Sequence, residues 1–147
     1  MITQKYGYKK VTVLNIALLA HDRRKELMVQ FCIAYCGILS GHSISATNTT
    51  GRLVSEATGL PITLYLSCTQ GGAQQIGSRI TYNELDMVLF FCDPKIADDY
   101  QSSVIDIVRL CDEHNVPFAS NVATAEVLIH GLNRGDLAWR DIVNPKH

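Results

Sequence analysis

The chain has 147 residues, a formal net charge of −1 at pH 7 and 47% hydrophobic residues. This length and apolar content predict a single domain, residues 1–147, which is large enough to bury a core. A charge near zero argues against a nucleic-acid polymer or an anionic membrane as partner, since both attract an excess of Lys and Arg. No apolar run approaches the roughly 20 residues of a membrane span, and residues 1–10 are too polar for a signal peptide.

The five cysteines are an odd number and lack the spacing of a secreted disulfide framework. We therefore expect reduced thiols and a cytoplasmic location. Cys32 and Cys36 lie one helical turn apart, but no further His or Cys pair completes a set of four metal ligands. Core packing is the expected role of these two thiols, and neither a metal nor a cofactor is predicted.

The predicted strands and helices alternate along the chain. Apolar runs rich in β-branched residues predict strands at residues 11–20, 42–46, 62–66, 86–91 and 116–119. Periodicity and capping residues predict helices at residues 22–40 and 52–58, a third capped by Ser103 and a fourth opened by Asn121. This alternation predicts an α/β fold, a three-layer α/β/α sandwich around a mostly parallel, Rossmann-like sheet. Ligands of such folds bind beyond the carboxyl ends of the strands.

The threonine-rich segment at residues 45–51, called the threonine loop below, follows one predicted strand and opens a helix. Amides at a helix start point outward, the positive end of the helix dipole lies there, and hydroxyls add further donors. Thr47, Thr49 and Thr50 could instead serve only as cap and turn residues. Three hydroxyls exceed what one cap needs, however, so the loop predicts an oxyanion site.

Two more polar junctions follow predicted strands. Residues 21–25 read His-Asp-Arg-Arg-Lys, and residues 67–72 read Ser-Cys-Thr-Gln-Gly-Gly. Together with the threonine loop they predict a site for a small phosphorylated ligand. Plainer alternatives exist: His21 could be an ordinary loop histidine, Lys25 a solvated helix lysine, and Asp93 a residue that only turns the chain before proline.

Five motifs carry a resemblance to a known family. They are Ala-His-Asp-x-x-Lys at 20–25, Ala-Thr-x-Thr-Thr-Gly at 46–51, Gly-Gly-x-Gln-Gln at 71–75, Phe-Phe-x-Asp-Pro at 90–94 and Asn-Val-Ala-Thr-Ala at 121–125. In this combination the chain resembles the methylglyoxal synthase family from about residue 16 to residue 125. The resemblance implies a Rossmann-like fold, conversion of dihydroxyacetone phosphate to methylglyoxal and phosphate, and assembly as a homohexamer.

The resemblance also implies which residues bind. It assigns phosphate and substrate contacts to His21, Lys25, Thr47, Thr49, Thr50 and Ser67. The expected ligand-binding set further includes their neighbours Asn48, Gly51, Cys68, Gly71 and Gly72, and the ring of Tyr100. Tyr100 could be a loop anchor, or it could stack on a base or sugar of the ligand.

The chain departs from the family pattern at the residues that move protons. The resemblance places the catalytic aspartate directly after the Gly-Gly pair, where this chain has Ala73. It places a histidine at Tyr100 and an aspartate at Ser103. Cys68 stands where the family has a glycine, and the chain ends at His147, short of an arginine that the resemblance implies. A methyl group cannot accept a proton, so we expect proton transfer to be impaired.

Two functions of different classes follow. The first is a non-enzymatic protein that binds a phosphorylated small molecule, such as a nucleotide or nucleotide-derived signal. The alternative is a methylglyoxal synthase that uses a displaced carboxylate, for which the candidates are Asp22, Asp93, Asp98 and Asp99. The retained anion site and the missing base favour binding, with His21, Asp22 and Asp93 as the catalytic candidates if turnover occurs. An assembly subunit with a vestigial pocket is ranked last.

Overall fold

A five-stranded parallel sheet forms the centre of the molecule. The structure, a computed structural model, describes residues 12–95 and 99–143, with the backbone alone at residues 99–102 and 141. The strands are β1 (Asn15–Ala20), β2 (Ser43–Ala46), β3 (Ile62–Leu64), β4 (Met87–Phe91) and β5 (Phe118–Ala119). Their order in the sheet is β3-β2-β1-β4-β5, and every neighbouring pair is parallel. The strand order therefore reverses between β1 and β4.

Helices cover both faces of this sheet. They are α1 (Lys25–Ala34), α2 (Cys36–Leu39), α3 (Asn48–Thr58), α4 (Gly72–Thr81), α5 (Asp99–His114), α6 (Val122–Arg134) and α7 (Arg140–Val143). Short 3₁₀-helices lie at Asp22–Arg24 and Cys68–Gln70. The arrangement confirms the predicted three-layer α/β/α sandwich with a Rossmann-like parallel sheet. No helix among the described residues is both long and apolar enough to cross a bilayer.

The core is divided between the two faces by the alternation of side chains along each strand. Ile16 and Leu18 of β1 pack with residues of α1, α3 and α6 on one face. Ala17 and Leu19 pack with residues of α4 and α5 on the other face. Every residue of β4 is buried, because a parallel sheet covered on both faces has no solvent side. Cys32 also lies in the first core, as its predicted packing role requires.

A buried ion pair fixes the end of the described chain to the sheet. Nη1 of Arg140 in α7 lies 2.5 Å from Oδ1 of Asp86, just before β4, and both side chains are almost fully buried. Oδ2 of Asp86 accepts a hydrogen bond from the amide of Asn15. The guanidinium also donates to the carbonyl of Asn115. This cluster lies at the amino end of β4 and leaves the carboxyl edge of the sheet to the candidate site.

Several predicted bounds need correction. The predicted strands are longer than those observed, and the part of the first strand at residue 11 lies outside the described residues. The helix predicted at 22–40 begins as a 3₁₀-helix and breaks at Tyr35, whose backbone leaves the α region. Helix α5 begins at Asp99, so Ser103 lies inside the helix and is not its cap. The sequence places the start too late because the first turn is polar and shows no apolar periodicity. Helix α4 was not predicted, because small and polar residues dominate its sequence.

Candidate functional site

The candidate site lies where the strand order reverses. In open α/β sheets this switch point opens a crevice at the carboxyl ends of the strands. His21 directly follows β1, and its amide donates to the carbonyl of Phe91 at the end of β4 over 3.1 Å. The amide of Asp93 donates to Nδ1 of His21 over 2.7 Å. Two residues that are 72 positions apart in the chain are thus joined at the predicted ligand-binding edge.

The contacts of His21 fix its protonation state. Burial lowers the pKa of His21, an effect partly opposed by the charge of Asp93 and reinforced by that of Lys25. The imidazole is therefore neutral at pH 7. Because Nδ1 accepts the hydrogen bond from Asp93, the single ring proton resides on Nε2. The ring of Phe90 packs edge-on against the imidazole at 5.2 Å between centroids. His21 is thereby held as a neutral hydrogen-bond donor.

Lys25 stands in the first turn of α1 with its ammonium turned back toward β1. Its Nζ donates to the carbonyl of Ala20 over 2.9 Å and to Oδ1 of Asp22 over 2.8 Å. The Lys25 side chain is 17% exposed, whereas that of Asp22 is 83% exposed. The ammonium lowers the pKa of Asp22 through their hydrogen bond. Two donors of Lys25 are therefore used within the protein, and an ammonium has a third.

The threonine loop leads into a helix, but α3 begins at Asn48, four residues before the predicted start at residue 52, so residues 48–51 form its first turn. Thr47 is the N-cap residue in extended conformation, yet its side chain makes no capping hydrogen bond. The hydroxyl of Thr50 is buried and has no hydrogen-bond partner among the described residues. A Cβ at Gly51 would lie 2.4 Å from a methyl group of Leu64, so the glycine lets α3 pack closely on β3. Helix-start amides and hydroxyls without a capping role are the groups that bind anions.

The other two residues of this turn point elsewhere. The side-chain oxygen of Asn48 accepts a hydrogen bond from Nε of Arg52, one turn further along α3. Thr49 is exposed to solvent. Of the predicted hydroxyl groups in the threonine loop, those of Thr47 and Thr50 thus belong to buried residues, and Gly51 is buried as well.

The loop after β3 is held tightly by its glycines. Gly71 has φ +109°, in the left-handed region. A Cβ at Gly72 would lie 2.1 Å from the carbonyl oxygen of Leu66, which no side chain can accept. Oε1 of Gln75 accepts a hydrogen bond from the amide of Leu66. The half-buried Ser67 follows β3 at the carboxyl edge of the sheet, the edge at which the threonine loop follows the parallel strand β2.

The two cysteines of the site lie near its charged groups. Burial raises the pKa of the Cys68 thiol, and the charge of Lys25 opposes this effect. Burial likewise raises the pKa of Cys92 to about 11, with Cys68 as a further contributor. Cys68 therefore lies close enough to Lys25 and to Cys92 for electrostatic interactions with both. The loops after β1, β3 and β4 therefore lie close to one another at the carboxyl edge of the sheet.

Asp93 presents its carboxylate at this convergence. Oδ1 accepts a hydrogen bond from the amide of Lys95 over 3.0 Å. Oδ2 is buried and has no hydrogen-bond partner among the described residues. Nε of Arg23 approaches Oδ2 to 3.9 Å, but the Arg23 side chain is 77% exposed. Asp93 thus does more than turn the chain before Pro94.

Two cavities flank the convergence. One of about 420 Å³ opens at the ends of β4 and β5, where Arg24, Cys92 and Asn121 line it. Asn121 also caps α6 by accepting a hydrogen bond from the amide of Thr124. Another cavity of about 440 Å³ lies between α4 and α5, and its lining includes Ala73 and Ser103. A third opening of about 510 Å³ lies on the outer face of α5. Among the described side chains, no predicted ligand-binding residue lines any of these three cavities.

Some predictions on this site fall outside what the structure describes. Asp98 lies outside the described residues, and of Asp99 and Tyr100 only the helical backbone is described. The proposed stacking role of Tyr100 therefore stays a prediction. Sequence reasoning missed Arg23 and Gln75, although a basic run and the Gln-Gln of the glycine motif marked their positions.

The comparisons with known proteins agree with one another. The model of the MGS-like domain family matches residues 28–120. The chain is 59% identical over 133 residues to the methylglyoxal synthase of Caldicellulosiruptor saccharolyticus, covering 90% of this chain and 94% of that protein. It is 50% identical over 133 residues to the methylglyoxal synthase of Oceanobacillus iheyensis, covering 90% and 95%.

A solved structure extends this likeness to three dimensions. The crystal structure of methylglyoxal synthase from Elizabethkingia anophelis matches with a TM-score of 0.73 and 36% sequence identity. The match covers 80% of this chain and 77% of that one. By its sequence and by its fold, this chain belongs to the MGS-like domain family.

Proposed function

We propose that this chain is a methylglyoxal synthase, a lyase that converts dihydroxyacetone phosphate to methylglyoxal and phosphate. The likeness to relatives of that name, at 59% and 50% identity over 90% of the chain, carries the proposal. This likeness also corrects the function that the sequence analysis favours. A protein that only binds a phosphorylated molecule, and is not an enzyme, is contradicted by close relatives that are named as a synthase.

The threonine loop supports a site for the phosphate group of the substrate. The amides at the start of α3 receive no cap from Thr47, and the buried hydroxyl of Thr50 lacks a partner among the described residues. A phosphate would satisfy both groups. Lys25, held by Ala20 and Asp22, adds positive charge near Cys68. Charge-assisted hydrogen bonds of this kind contribute about 1.5–3 kcal/mol each.

His21 is proposed to stabilise the charge that develops on the substrate oxygen. Removing a proton next to a carbonyl converts that carbonyl into an enediolate with a negatively charged oxygen. A neutral imidazole that donates through Nε2 can polarise the carbonyl and stabilise this oxygen. The geometry that supports this role is the hydrogen bond from the Asp93 amide to Nδ1, which selects the Nε2–H tautomer.

Three further parts of the proposal come from the family resemblance. Ala73 stands where the resemblance places the catalytic aspartate, so we propose that the chain is a divergent synthase whose base lies elsewhere. Ser67 and the glycines at 71 and 72 are proposed to contact the substrate. A homohexamer is the proposed assembly, and native mass spectrometry would count its subunits.

Methylglyoxal formation from dihydroxyacetone phosphate is the direct test. The purified wild-type protein is expected to release phosphate and methylglyoxal in equal amounts, and the absence of both products would overturn the proposal. Thr50→Val keeps the shape of the side chain but removes its hydroxyl. It should raise KM by about tenfold or more, since 1.4 kcal/mol is a factor of ten. Thr63→Val, at an exposed threonine of β3, is the matched control and should leave KM unchanged.

A further inference from the structure

We propose that Asp93 is the general base of this reaction and that its Oδ2 atom takes the proton from the substrate carbon. This inference rests on the proposed function and names the residue that carries out its first step. The reaction needs a carboxylate or another base beside the anion site. Ala73, buried in the first turn of α4, cannot supply one.

The first support is the uneven environment of the two carboxylate oxygens. Oδ1 is occupied by the amide of Lys95 at 3.0 Å, which fixes the side-chain rotamer. Oδ2 is buried without a hydrogen-bond partner among the described residues. A buried carboxylate oxygen is normally paired, because leaving it unpaired costs free energy. Nε of the exposed Arg23 lies 3.9 Å from Oδ2, but no described group gives it a hydrogen bond, so Oδ2 is the atom that a substrate proton would engage.

The second support is position. The backbone of Asp93 is bonded to Nδ1 of His21, the proposed oxyanion donor. Among the charged residues around that imidazole, Asp93 has the strongest influence. One residue therefore places a carboxylate next to the group that would stabilise the product of deprotonation. Base and oxyanion donor directly follow the paired strands β4 and β1, and the hydrogen bond from the Asp93 amide to Nδ1 links them.

Two other carboxylates, one at each end of the sheet, are less suitable. Asp22 is 83% exposed, and Oδ1 of Asp22 is bonded to Lys25 at 2.8 Å. That contact lowers the pKa of Asp22 and makes it a weaker base. Asp86 is buried, but it is paired with Arg140 at the opposite end of β4.

The step can be written with its atoms in balance. Asp93 Oδ2 takes a proton from the hydroxymethyl carbon, and the electron pair left behind forms a carbon–carbon double bond while the carbonyl oxygen becomes charged. The hydroxyl on that carbon then gives its proton to the charged oxygen and becomes an aldehyde as the double bond shifts to join the central carbon and the carbon that bears phosphate. The carbon–oxygen bond to phosphate breaks, and phosphate leaves with the electron pair and takes the proton from Asp93. The remaining enol rearranges to methylglyoxal.

The test is Asp93→Asn, assayed with dihydroxyacetone phosphate. The asparagine oxygen can still accept the hydrogen bond from Lys95, so the loop geometry is kept while the base is lost. We expect kcat to fall by about 10²–10⁴, with KM and the urea midpoint close to wild type. A role in structure alone would instead change KM or the midpoint. Asp112→Asn, at an exposed aspartate of α5, is the control and should keep full activity.

The outcomes separate this inference from the function it rests on. If wild type forms no methylglyoxal, the proposed function fails. If wild type is active and Asp93→Asn retains kcat within about tenfold, or if the large loss follows Asp22→Asn, Asp98→Asn or Asp99→Asn, the assignment to Asp93 is overturned. Should Asp93→Asn not fold, Asp93→Glu keeps the charge but moves the carboxylate. A shift of that size should lower kcat by about 10², and an unchanged kcat would overturn the assignment.

Discussion

The amide of Asp93 donates a 2.7 Å hydrogen bond to Nδ1 of His21. This bond links the residues that follow β1 and β4 at the switch point of the sheet, beside the bond from the His21 amide to the carbonyl of Phe91. It fixes the His21 tautomer with the ring proton on Nε2. It also sets where the Asp93 carboxylate lies relative to the imidazole. The proposed base and oxyanion donor therefore depend on each other's geometry.

Two substitutions at His21 should separate its two nitrogen atoms. Asparagine can replace the acceptor at Nδ1 but supplies no donor at the position of Nε2. Glutamine can supply a donor at the position of Nε2 but no acceptor at that of Nδ1. His21→Asn should keep the unfolding free energy near wild type and lower kcat by about 10²–10³, the usual cost of losing an oxyanion donor. His21→Gln should lose about 1–3 kcal/mol of stability, because the Asp93 amide is left unpaired. Urea unfolding measures the stability of each variant, and steady-state kinetics measure its kcat. Equal stability of the two variants would contradict the assigned role of Nδ1 as the acceptor for the Asp93 amide.

Acid should destabilise the protein through His21. Burial lowers the pKa of His21 in the folded state relative to its ordinary value near 6.5. The unfolded chain then binds the proton more readily, so stability is full above about pH 6.5 and falls as the pH drops through the folded-state pKa. Burial also lowers the pKa of His42, which contributes in the same direction.

The pH effect of His21 can be isolated by comparison. The free energy of unfolding is measured at pH 7.5 and 5.5 for wild type and His21→Asn. The free energy of unfolding lost on acidification should be smaller in the variant, because it lacks one of the two histidines whose pKa burial lowers. His42→Asn, which can keep an acceptor for the Leu14 amide, should show a similar reduction. An identical loss in wild type and both variants would mean that other groups govern the acid response.

Gly72 should not tolerate a side chain. Its Cβ would lie 2.1 Å from the carbonyl oxygen of Leu66, a backbone atom that cannot move independently. Gly72→Ala should therefore destabilise the protein by about 1–3 kcal/mol and raise KM by displacing the loop that carries Ser67. Gly37→Ala is the matched control, since nothing lies within 4 Å of its Cβ and alanine favours the helix by up to about 1 kcal/mol. Comparable urea midpoints for the two variants would refute this account.

The sequence predicts the layers of this fold well because its signals are local. The buried apolar runs of β1 and β4 and the cap at Asn121 can be recognised from neighbouring residues alone. Helix α4 was missed because glycine and glutamine in its sequence weaken the apolar stripe that marks a helix. Its stability comes from packing: Ile76 and Ile80 are completely buried against the sheet.

The site was predicted less completely, because its key contacts are not local. The sequence indicated which loops converge, but not that Asp93 and His21 are bonded across 72 positions. The prediction of a binding protein without turnover is also wrong. It depends on Ala73, where the family resemblance places a carboxylate, and one position does not show which other carboxylates lie near the site. Relatives named methylglyoxal synthase at 59% and 50% identity correct that prediction.

Position 73 provides a test of where a base can act. Ala73 lies in the first turn of α4 and lines the cavity of about 440 Å³ next to Ser103, so an aspartate there has space. The positive end of the helix dipole should favour its charge. If the base was moved from position 73 to Asp93, then Ala73→Asp should restore kcat at least tenfold in the Asp93→Asn protein, within the 10²–10⁴ range of a lost base.

The control for this rescue is Gln74→Asp in the same Asp93→Asn background. It adds the same charge one residue further along α4, at an exposed position that lines the same cavity of about 440 Å³. Because adjacent helical residues point about 100° apart, its carboxylate should not reach the position that Ala73→Asp occupies. Initial rates of phosphate release compare the two double variants. Equal recovery in both would attribute the effect to the added charge, and no recovery at position 73 would mean that a carboxylate there does not reach the reacting carbon.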